Sequence, residues 1–446
     1  MAAFNTYFSG NPLNRLSYLR NSPAFLASAL SSPKARFLLY DQLSPLLTSI
    51  QRTERHLHLL SWDDVKAHIG EPQDIFKGVD GKDQEALRRI VRKDGKVEAA
   101  AQDDVQYYIS QPALVFLGVD ERDAPASAKS LPLSKPTAES TLESHSPHGI
   151  PYWSLDVSNN AELKEFALAQ AKGLEFSDLR SGMASIPAPE ASIAAQGRAM
   201  TDWNTRNVYC PSCSRPVKSV WAGWKRTCIP SSSSPSTCAS KKGVHNFCYP
   251  RTDPVVIMGV VSPDGESILL GRQKSWPRGF YSALAGFIES GETFEEAVAR
   301  EVYEEAGIEV EHVKFVANQV WPFPSSLMMG GIAKANKGYE MRLDLDNELE
   351  DARFFTRAQV LHVIEASGPS HFTKEEIKQI DQQVQQRAPR SRSPSPGRAG
   401  RPAFRMPPST AIANTLITAW ATNTWSDAQP QVQGTEQTGN AGAGKL

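Results

Sequence analysis

The chain has 446 residues, with 48 lysines and arginines, 49 aspartates and glutamates, and a formal net charge of −1. This length predicts about two or three domains, and the balanced charge excludes a basic field over the whole chain that would attract nucleic acid or anionic membranes. Apolar runs fall short of the roughly 20 residues of a membrane span, and the first residues lack a signal-peptide pattern. We therefore expect a soluble intracellular protein.

The first part of the chain, residues 1–205, mixes strand and helix patterns. The apolar runs ARFLLYDQL and PALVFLGVD predict strands, and residues 161–173 and 188–202 predict helices. Residues 121–149 are rich in serine, proline, alanine and charge, which is typical of a flexible insertion. Together these patterns predict an N-terminal domain of mixed α/β structure.

A short segment, residues 206–250, contains all five cysteines of the chain: Cys210, Cys213, Cys228, Cys238 and Cys248. Such clustering favours a metal site, because a disulfide framework belongs to small secreted chains. The spacing predicts a structural zinc ribbon with four thiolates, in which Cys238 is the fourth ligand on a lengthened second knuckle. Cys248 and, more weakly, His245 compete for that fourth place. A redox CxxC pair is the alternative, but it accounts for only two of the cysteines.

The next part, residues 251–420, is expected to form one α+β domain. Residues 254–261 and 267–272 are β-branched runs on either side of Pro263-Asp264-Gly265, which predicts a hairpin. The runs VKFVANQV and SLMMGGIA predict strands, and residues 356–367 and the run PPSTAIANTLITAW predict helices. This order is typical of a mixed sheet with helices packed against it.

Two segments near the C-terminus have no means of packing a core. Residues 388–402 are a basic Ser/Pro/Arg stretch typical of a disordered insertion, and residues 421–446 predict a disordered tail. The final Gly444-Lys-Leu446 approximates a peroxisomal address, with glycine in place of serine. We therefore expect a peroxisomal location, with a chance ending and a cytoplasmic location as the alternative.

Residues 286–308, GFIESGETFEEAVAREVYEEAGI, carry the strongest signal of the chain. Thr293 and Glu296 form a capping box that begins a helix, and Gly307 is placed to end that helix in a left-handed cap. A short, well-capped helix is therefore predicted between them.

Three acids of this helix, Glu301, Glu304 and Glu305, stand at i, i+3 and i+4, so they share a face that borders apolar Ala297 and Val298. We therefore expect that none of the three lies on the outermost, solvated side of the helix. Like charges at this spacing destabilise a helix by roughly 0.2–0.5 kcal/mol, and partial burial increases the cost. The face therefore calls for cations, and carboxylate oxygens suit Mg²⁺ or Mn²⁺. A solvated acidic helix face is the alternative.

The same stretch resembles the Nudix box, G-x5-E-x7-R-E-U-x-E-E-x-G-U with U a bulky aliphatic residue. This box marks enzymes that hydrolyse a nucleoside diphosphate linked to another group. The resemblance holds at every fixed position: Gly286, Glu292, Arg300, Glu301, Val302, Glu304, Glu305, Gly307 and Ile308.

A second motif narrows the resemblance to one family of Nudix enzymes. Asn318-Gln-Val-Trp-Pro-Phe-Pro-Ser-Ser-Leu-Met328 resembles the S-Q-P-W-P-F-P-x-S-L-M motif of the NADH pyrophosphatases, Nudix enzymes that split NADH into NMNH and AMP. The runs FSGNPLNR, GRAMTDW and MPPSTAIAN resemble further segments of eukaryotic members, so the resemblance covers nearly the whole chain. Asn318, Val320, the long zinc knuckle and the 388–402 insertion depart from the pattern. Pro322 and Pro324 are expected to hold Trp321 and Phe323 extended and preordered.

The resemblance implies a fold, a set of site residues and a homodimer. The fold is the Nudix α/β/α sandwich, preceded by the zinc ribbon. The implied metal ligands are the backbone carbonyl of Ala285 and the side chains of Glu301, Glu305 and Glu348. The implied substrate contacts are Tyr249, Phe287, Gln319, Trp321, Pro322, Phe323, Pro324, Ser325, Ser326 and Ala413. Tyr249 and Phe287 would hold a ring between them, one of them supplied by the other subunit.

The expected reaction is metal-dependent hydrolysis of NADH or NAD⁺, and the resemblance extends it to removing NAD caps from RNA. Glu304 or Glu305 would orient or deprotonate the attacking water, with Glu305 favoured, and Arg300 would orient Glu304. Two alternatives stay open. One is a different Nudix substrate, ADP-ribose or a diadenosine polyphosphate, and the other is a non-catalytic nucleotide sensor or zinc-ribbon nucleic-acid adaptor.

Overall fold

The structure is a computed structural model that describes residues 6–51, 54–79, 89–91, 97–99, 112–123, 149–182, 185–229, 238, 248–366 and 404–425. The insertion expected at 388–402 and the Gly444-Lys-Leu446 ending lie outside these residues, as does most of the insertion expected at 121–149. Within the described residues, no helix is both long and apolar enough to cross a membrane.

The N-terminal region contains one large sheet and one separate pair of strands. Its strands are β1 (Leu13–Asn14), β2 (Arg36–Asp41), β3 (Ser44–Gln51), β4 (Glu54–Leu57), β5 (Leu59–Leu60), β6 (Arg89–Val91), β7 (Val97–Ala99), β8 (Leu114–Asp120), β9 (Ile150–Asp156) and β10 (Leu174–Phe176). The main path runs β1-β8-β9-β2-β3-β10, with β4 beside β3 and β5 beside β2, while β6 and β7 pair with each other. The strands predicted from ARFLLYDQL and PALVFLGVD are confirmed as β2 and β8.

Helices cover this sheet. They are α1 (Pro23–Leu30), α2 (Trp62–Ile69), α3 (Pro72–Ile75), α4 (Ala161–Ala169), α5 (Leu179–Gly182) and α6 (Ala188–Arg206). The predicted helices at 161–173 and 188–202 are confirmed as α4 and α6. Helix α6 lies close against the sheet, because Gly197 has no side chain to collide with Tyr40, whose hydroxyl donates to the carbonyl of Ala194 at 2.6 Å. Gly197, the first residue of the run GRAMTDW, is therefore one point of close contact between helix and sheet.

The cysteine segment forms a small antiparallel hairpin, β11 (Val217–Val220) and β12 (Lys225–Cys228). The last region contains β13 (Asp253–Val261), β14 (Ser267–Gln273), β15 (Leu284–Phe287), α7 (Phe294–Ala306), β16 (Val310–Trp321), β17 (Ser326–Ala335), β18 (Leu349–Thr356), α8 (Arg357–Ala366) and α9 (Ile412–Ala421). Its strands run in the order β16-β17-β13-β14-β18, with β15 beside β13.

This last region is a three-layer α/β/α sandwich. Apolar residues of α7, including Val298 and Val302, pack on one face of the sheet against Val256 and Met258. Helices α8 and α9 pack on the other face, where their residues form a second core with Ile257, Ile268 and Leu270 of the sheet. The α+β fold and the helix predicted at 356–367 are confirmed, and the helix predicted in the run PPSTAIANTLITAW is confirmed from Ile412 onward.

Two connections in this sandwich were predicted from turn residues. The hairpin at Pro263-Asp264-Gly265 is confirmed, because β13 and β14 pair antiparallel and Gly265 has a φ of +81°. The expectation of extended backbone is confirmed for Trp321, the last residue of β16, and is wrong for Phe323. Residues 322–325 form a turn that joins β16 to β17, with a cis bond between Phe323 and Pro324. The pairing of Trp321 with Ser326 across the hairpin overrides the local preference of proline for extended backbone.

The same turn packs on the N-terminal region. The ring of Phe323 lies edge-on to Phe8, with ring centroids 6.3 Å apart, and the guanidinium of Arg198 lies 4.8 Å from its centroid. Arg198 also donates a hydrogen bond to the carbonyl of Pro322. The β16–β17 hairpin is therefore held from both sides, by its own sheet and by helix α6.

Candidate active site

Helix α7 begins and ends as the sequence predicts. Thr293 accepts from the backbone N–H of Glu296, and the Glu296 side chain accepts from the backbone N–H of Thr293, which completes the capping box. Gly307 ends the helix in the left-handed conformation with a φ of +68°. These caps fix where the acidic side chains of α7 lie relative to the sheet.

Gly286 lets the preceding strand approach the acids. A Cβ atom at this position would lie 2.0 Å from the carboxyl carbon of Glu301, so any other residue would displace that carboxylate. The first glycine of the motif therefore allows β15 to pack closely against the Glu301 carboxylate in its present position.

Arg300 is the centre of an ion-pair network. Its Nε donates to Glu292 at 2.6 Å, and its Nη1 lies 2.9 Å from oxygens of both Glu301 and Glu304. Its Nη2 donates to the carbonyl of Phe287 and to Glu292. The network ties the loop before α7 to the helix, and hydrogen bonds from Arg300 lower the pKa of Glu292 to about 2. The expected contact with Glu304 is present, and the contacts with Glu292 and Glu301 are additional.

Glu305 is the most unusual acid of the site. Only 2 % of its surface is exposed, and its Oε1 has no hydrogen-bond partner among the described residues. Burial, followed by repulsion from Glu348 and Glu301, raises its pKa to about 9. A buried carboxylate facing two more acids is stable only if it is protonated or paired with a cation. Its environment therefore fits a cation ligand.

Glu301 and Glu348 complete the acidic group. Burial raises the pKa of Glu301, although its hydrogen bond to Arg300 opposes the shift. Glu348 lies just before β18, is exposed, and accepts a hydrogen bond from Gln273 at 2.6 Å. All three side chains offer oxygen ligands, which fit Mg²⁺ or Mn²⁺ better than softer metals.

Glu304 differs from its neighbours. Its side chain is 48 % exposed, so the expectation that all three acids of α7 avoid the solvated side is wrong for this residue. The 100° step of the helix turns it away from the sheet, where Arg300 holds it. Glu305 is consequently the better placed of the two candidates to act on water inside the site.

A cavity of about 270 Å³ opens beside Glu305. Its lining includes six of the predicted residues: Ala285, Glu305, Gln319, Trp321, Glu348 and Ala413. It also includes Gln273, Trp276, Met328, Pro407 and Ala411, which the sequence did not single out. For Trp276 the one available signal was an aromatic residue shortly after a predicted strand, which is too common to be informative.

Gln319 connects three segments that are distant in the chain. Its Nε2 donates to the carbonyls of Tyr7 and Thr410 at 3.0 and 2.8 Å, and its Oε1 accepts from the backbone N–H of Ile412 at 2.9 Å. Both amide hydrogens are thus used within the chain. Gln319 joins the N-terminal segment, strand β16 and the start of α9, which together wall the cavity.

Other predicted contact residues lie elsewhere in a single chain. Tyr249, Pro322, Ser325 and Ser326 line a second cavity, and Phe323 packs on the N-terminal core with Pro324 beside it in the turn. Phe287 is 62 % exposed next to the Arg300 network. Tyr249 and Phe287 therefore do not face the same cavity within one chain.

Four cysteines form a compact cluster. The sulfurs of Cys210, Cys213, Cys228 and Cys238 all lie within 4.8 Å of one another. Cys248 lies outside the cluster, and its carbonyl accepts from the backbone N–H of Arg226. Four sulfurs at this spacing fit tetrahedral zinc and leave no place for water. The structure thus selects Cys238 over Cys248 as the fourth member; His245 lies outside the described residues.

Fold and site together define a Nudix domain: an α/β/α sandwich whose capped helix carries the acids against a glycine-bearing strand. Comparison with known families agrees, because a NUDIX domain model matches residues 250–375 and a model of the NADH pyrophosphatase-like rudimentary NUDIX domain matches residues 34–203.

Similar proteins are known over most of the chain. It is 35 % identical over 420 residues to the NAD-capped RNA hydrolase NUDT12 of Homo sapiens, which covers 93 % of this chain and 73 % of the relative. It is 32 % identical over 431 residues to an NAD-capped RNA hydrolase of Schizosaccharomyces pombe, and the match covers 95 % of this chain and 94 % of the relative. It is 34 % identical over 247 residues to the mitochondrial NAD(P)H pyrophosphatase NUDT13 of Homo sapiens, and this match covers 55 % of this chain and 59 % of the relative. The chain belongs to the NADH pyrophosphatase family of Nudix hydrolases.

Proposed function

We propose that the chain hydrolyses the pyrophosphate of NADH or NAD⁺, giving NMNH or NMN and AMP, and that it removes NAD caps from RNA. The names of its relatives support both substrates. The observation that carries the proposal is the buried, unpartnered oxygen of Glu305 facing two further acids at the wall of a cavity.

Three side chains and one carbonyl would hold the catalytic cations: Glu301, Glu305, Glu348 and Ala285. When bound, Mg²⁺ or Mn²⁺ neutralises charge on the phosphoryl oxygens and lowers the pKa of water. Glu305 lies deepest and would take the proton from the attacking water, while Arg300 keeps Glu301 and the preceding loop in place.

The cavity supplies the shape of the site. Trp321 and Trp276 present aromatic surface on its wall, which suits a nicotinamide or adenine ring. Gln319 holds that wall together through three segments of the chain. Ala413 sits at the start of α9, where its small side chain leaves room for a ligand.

The remaining assignments complete the proposal. The four cysteines would bind one structural zinc ion, and the protein would act as a homodimer in which Tyr249 of one copy approaches Phe287 of the other. The proposed domain boundaries are 1–205, 206–250 and 251–420. Each assignment is testable apart from the reaction itself.

The test of the reaction is product analysis by mass spectrometry. Full-length protein is incubated with Mg²⁺ and NADH, and in parallel with ADP-ribose and a diadenosine polyphosphate. The proposal expects NMNH and AMP at a higher kcat/KM than for either alternative substrate. Tight NADH binding without products would indicate a nucleotide sensor, and preferred release of ribose 5-phosphate would indicate an ADP-ribose hydrolase.

A further inference from the structure

A second cavity, here called the interdomain cleft, lies between the N-terminal region and the β16–β17 hairpin. Its volume is about 540 Å³, within the range of ligand sites. Its walls come from residues 8–20, helix α6, the β11–β12 hairpin, residues 249–252 and the turn after β16. Apart from Tyr249, which the proposed homodimer places near Phe287 of a second copy, its lining has no part in the proposed reaction.

The β16–β17 hairpin separates the cleft from the catalytic cavity. Gln319 and Trp321 line the catalytic cavity, whereas Val320 and Pro322 line the cleft. Successive residues of a strand point to opposite faces, so the two cavities lie back to back across one strand. An RNA chain that leaves the catalytic cavity would pass around the edge of this hairpin to reach the cleft.

The lining of the cleft is cationic. Arg15, Arg20 and Arg251 contribute to it, and the lining found among the described residues includes no aspartate or glutamate. The local charge is therefore opposite to that of the catalytic cavity, although the net charge of the whole chain is −1.

Two of these arginines have no counter-charge among the described residues. Neither Arg15 nor Arg20 forms an ion pair with any residue in the described part of the chain. Arg20 is only 9 % exposed, its Nε has no hydrogen-bond partner there, and burial lowers its pKa to about 10. Arg15 is exposed in front of it, yet protein atoms crowd its guanidinium and lower its pKa too. A bound anion would compensate the positive charges of Arg15 and Arg20.

Aromatic rings lie beside the cations. Trp221, Trp224 and Tyr249 line the cleft, and the Arg20 guanidinium lies 3.6 Å from the centroid of Trp224. The Lys225 amine lies 4.6 Å from the centroid of Trp221 and 5.4 Å from that of Tyr249. Cations that follow a phosphate backbone beside rings that stack on bases are the combination used to bind single-stranded nucleic acid.

We propose that the interdomain cleft binds the RNA nucleotides that follow an NAD cap, with phosphates at Arg15 and Arg20 and a base against Trp221. The inference rests on the proposed removal of NAD caps from RNA. It adds a place for the RNA body, separate from the cavity that holds the dinucleotide. Free NADH, which has no such body, would not reach Arg15 or Arg20.

The test compares two substrates in two charge-matched double variants of the full-length protein. Arg15→Gln/Arg251→Gln removes two exposed cations of the cleft without touching buried Arg20. Lys66→Gln/Lys77→Gln removes two exposed cations that do not line it. The substrates are NADH and an unstructured NAD-capped RNA of about ten nucleotides, a length within the site sizes of such grooves.

The cleft variant is expected to lower the ratio of kcat/KM for capped RNA to kcat/KM for NADH about tenfold, and to reduce the salt dependence of KM for the RNA. The control variant should keep the wild-type ratio. A wild-type ratio in both variants, or an equal loss for both substrates in the cleft variant alone, would overturn the proposal. The second result would show that the cleft supports the fold or a subunit contact.

A binding measurement separates RNA from free mononucleotide and does not depend on catalysis. Tryptophan fluorescence is titrated with a 5′-monophosphorylated RNA and, separately, with AMP. The cleft variant should weaken RNA binding about tenfold and leave AMP binding nearly as in wild type; loss of AMP binding alone would contradict an RNA site. Failure of the wild type to cut NADH would refute the proposed function, while this titration would still report on the cleft.

Discussion

The two candidate metal sites of this chain are built in opposite ways. In the ribbon, four sulfurs gather within 4.8 Å of one another, and the set is complete. In the sandwich, the acids come from helix α7 and the segment before β18; one is exposed, and one is buried with an unpartnered oxygen beside a cavity. A closed set of soft ligands stabilises a fold, whereas an open set of oxygens leaves positions for water and phosphate.

Their surroundings differ as well. Among the described residues, the four cysteines are the one group of three or more His, Cys, Asp or Glu residues whose ligand atoms lie within 4.8 Å of one another. The carboxylates of the acidic site are therefore farther apart than the four sulfurs. Arg300 holds Glu301 from the side, and Glu348 bonds to Gln273. The acidic site thus depends on supporting residues from several elements.

The largest effect is expected from Cys228→Ser. A structural zinc contributes about 10–16 kcal/mol to folding in zinc-finger peptides, so losing one ligand should unfold the ribbon and remove the zinc. Zinc content by mass spectrometry and thermal melting provide the measurement. Cys248→Ser is the matched control and should retain zinc; equal zinc loss in both variants would mean that the cluster is not the site.

Next in size is Glu305→Gln. It keeps the shape of the side chain but removes the proton acceptor and the charged ligand, so turnover of NADH should fall by about 10²–10⁴-fold. Zinc content and melting temperature should stay near wild type. Glu295→Gln, on the exposed first turn of the same helix, should remain active. Substantial activity in the Glu305 variant would remove this residue from the mechanism.

Arg300→Gln tests the support of the acidic site. Loss of its bonds to Glu292, Glu301 and the Phe287 carbonyl should lower kcat/KM for NADH by about 10–100-fold, comparable to the loss of an outer-shell metal-site partner. The expected signature is weaker Mn²⁺ activation with zinc content preserved. Arg300→Lys should restore only part of the activity, because lysine cannot form the same paired bonds. Full activity in both variants would contradict the network.

The smallest effect is expected from Gln319→Met. The change keeps the length of the side chain but leaves the carbonyls of Tyr7 and Thr410 and the amide of Ile412 without their partner. Stability should fall by about 1–3 kcal/mol, with kcat and KM for NADH both affected modestly. A variant as stable as wild type but with a much higher KM would show that Gln319 contacts substrate directly.

The sequence predicted those structural features that depend on residues close together in the chain. The Thr293 capping box, the Gly307 cap, the hairpin at Gly265 and the main strands were all predicted, since each follows from local spacing. The cysteines were predicted as a group because zinc requires their number and type. Only the structure excluded Cys248 from the cluster.

Features that depend on distant contacts could not be predicted. The exposure of Glu304 depends on how α7 is rotated against the sheet, and the turn at 322–325 depends on strand pairing. Gln319 finds its partners at residues 7, 410 and 412, far along the chain. The arginines of the interdomain cleft come from segments that are distant in the chain, and the net charge of the whole chain is −1. The composition therefore gave no sign of a local positive charge.

The most direct test of the central claim is a manganese-soaked crystal of active protein, examined by anomalous diffraction. We predict an anomalous peak between the carboxylates of Glu305, Glu301 and Glu348, at the wall of the cavity that contains Trp321. The soaked crystals, once dissolved, should convert NADH to NMNH and AMP. Active protein with no peak at this position would contradict the account.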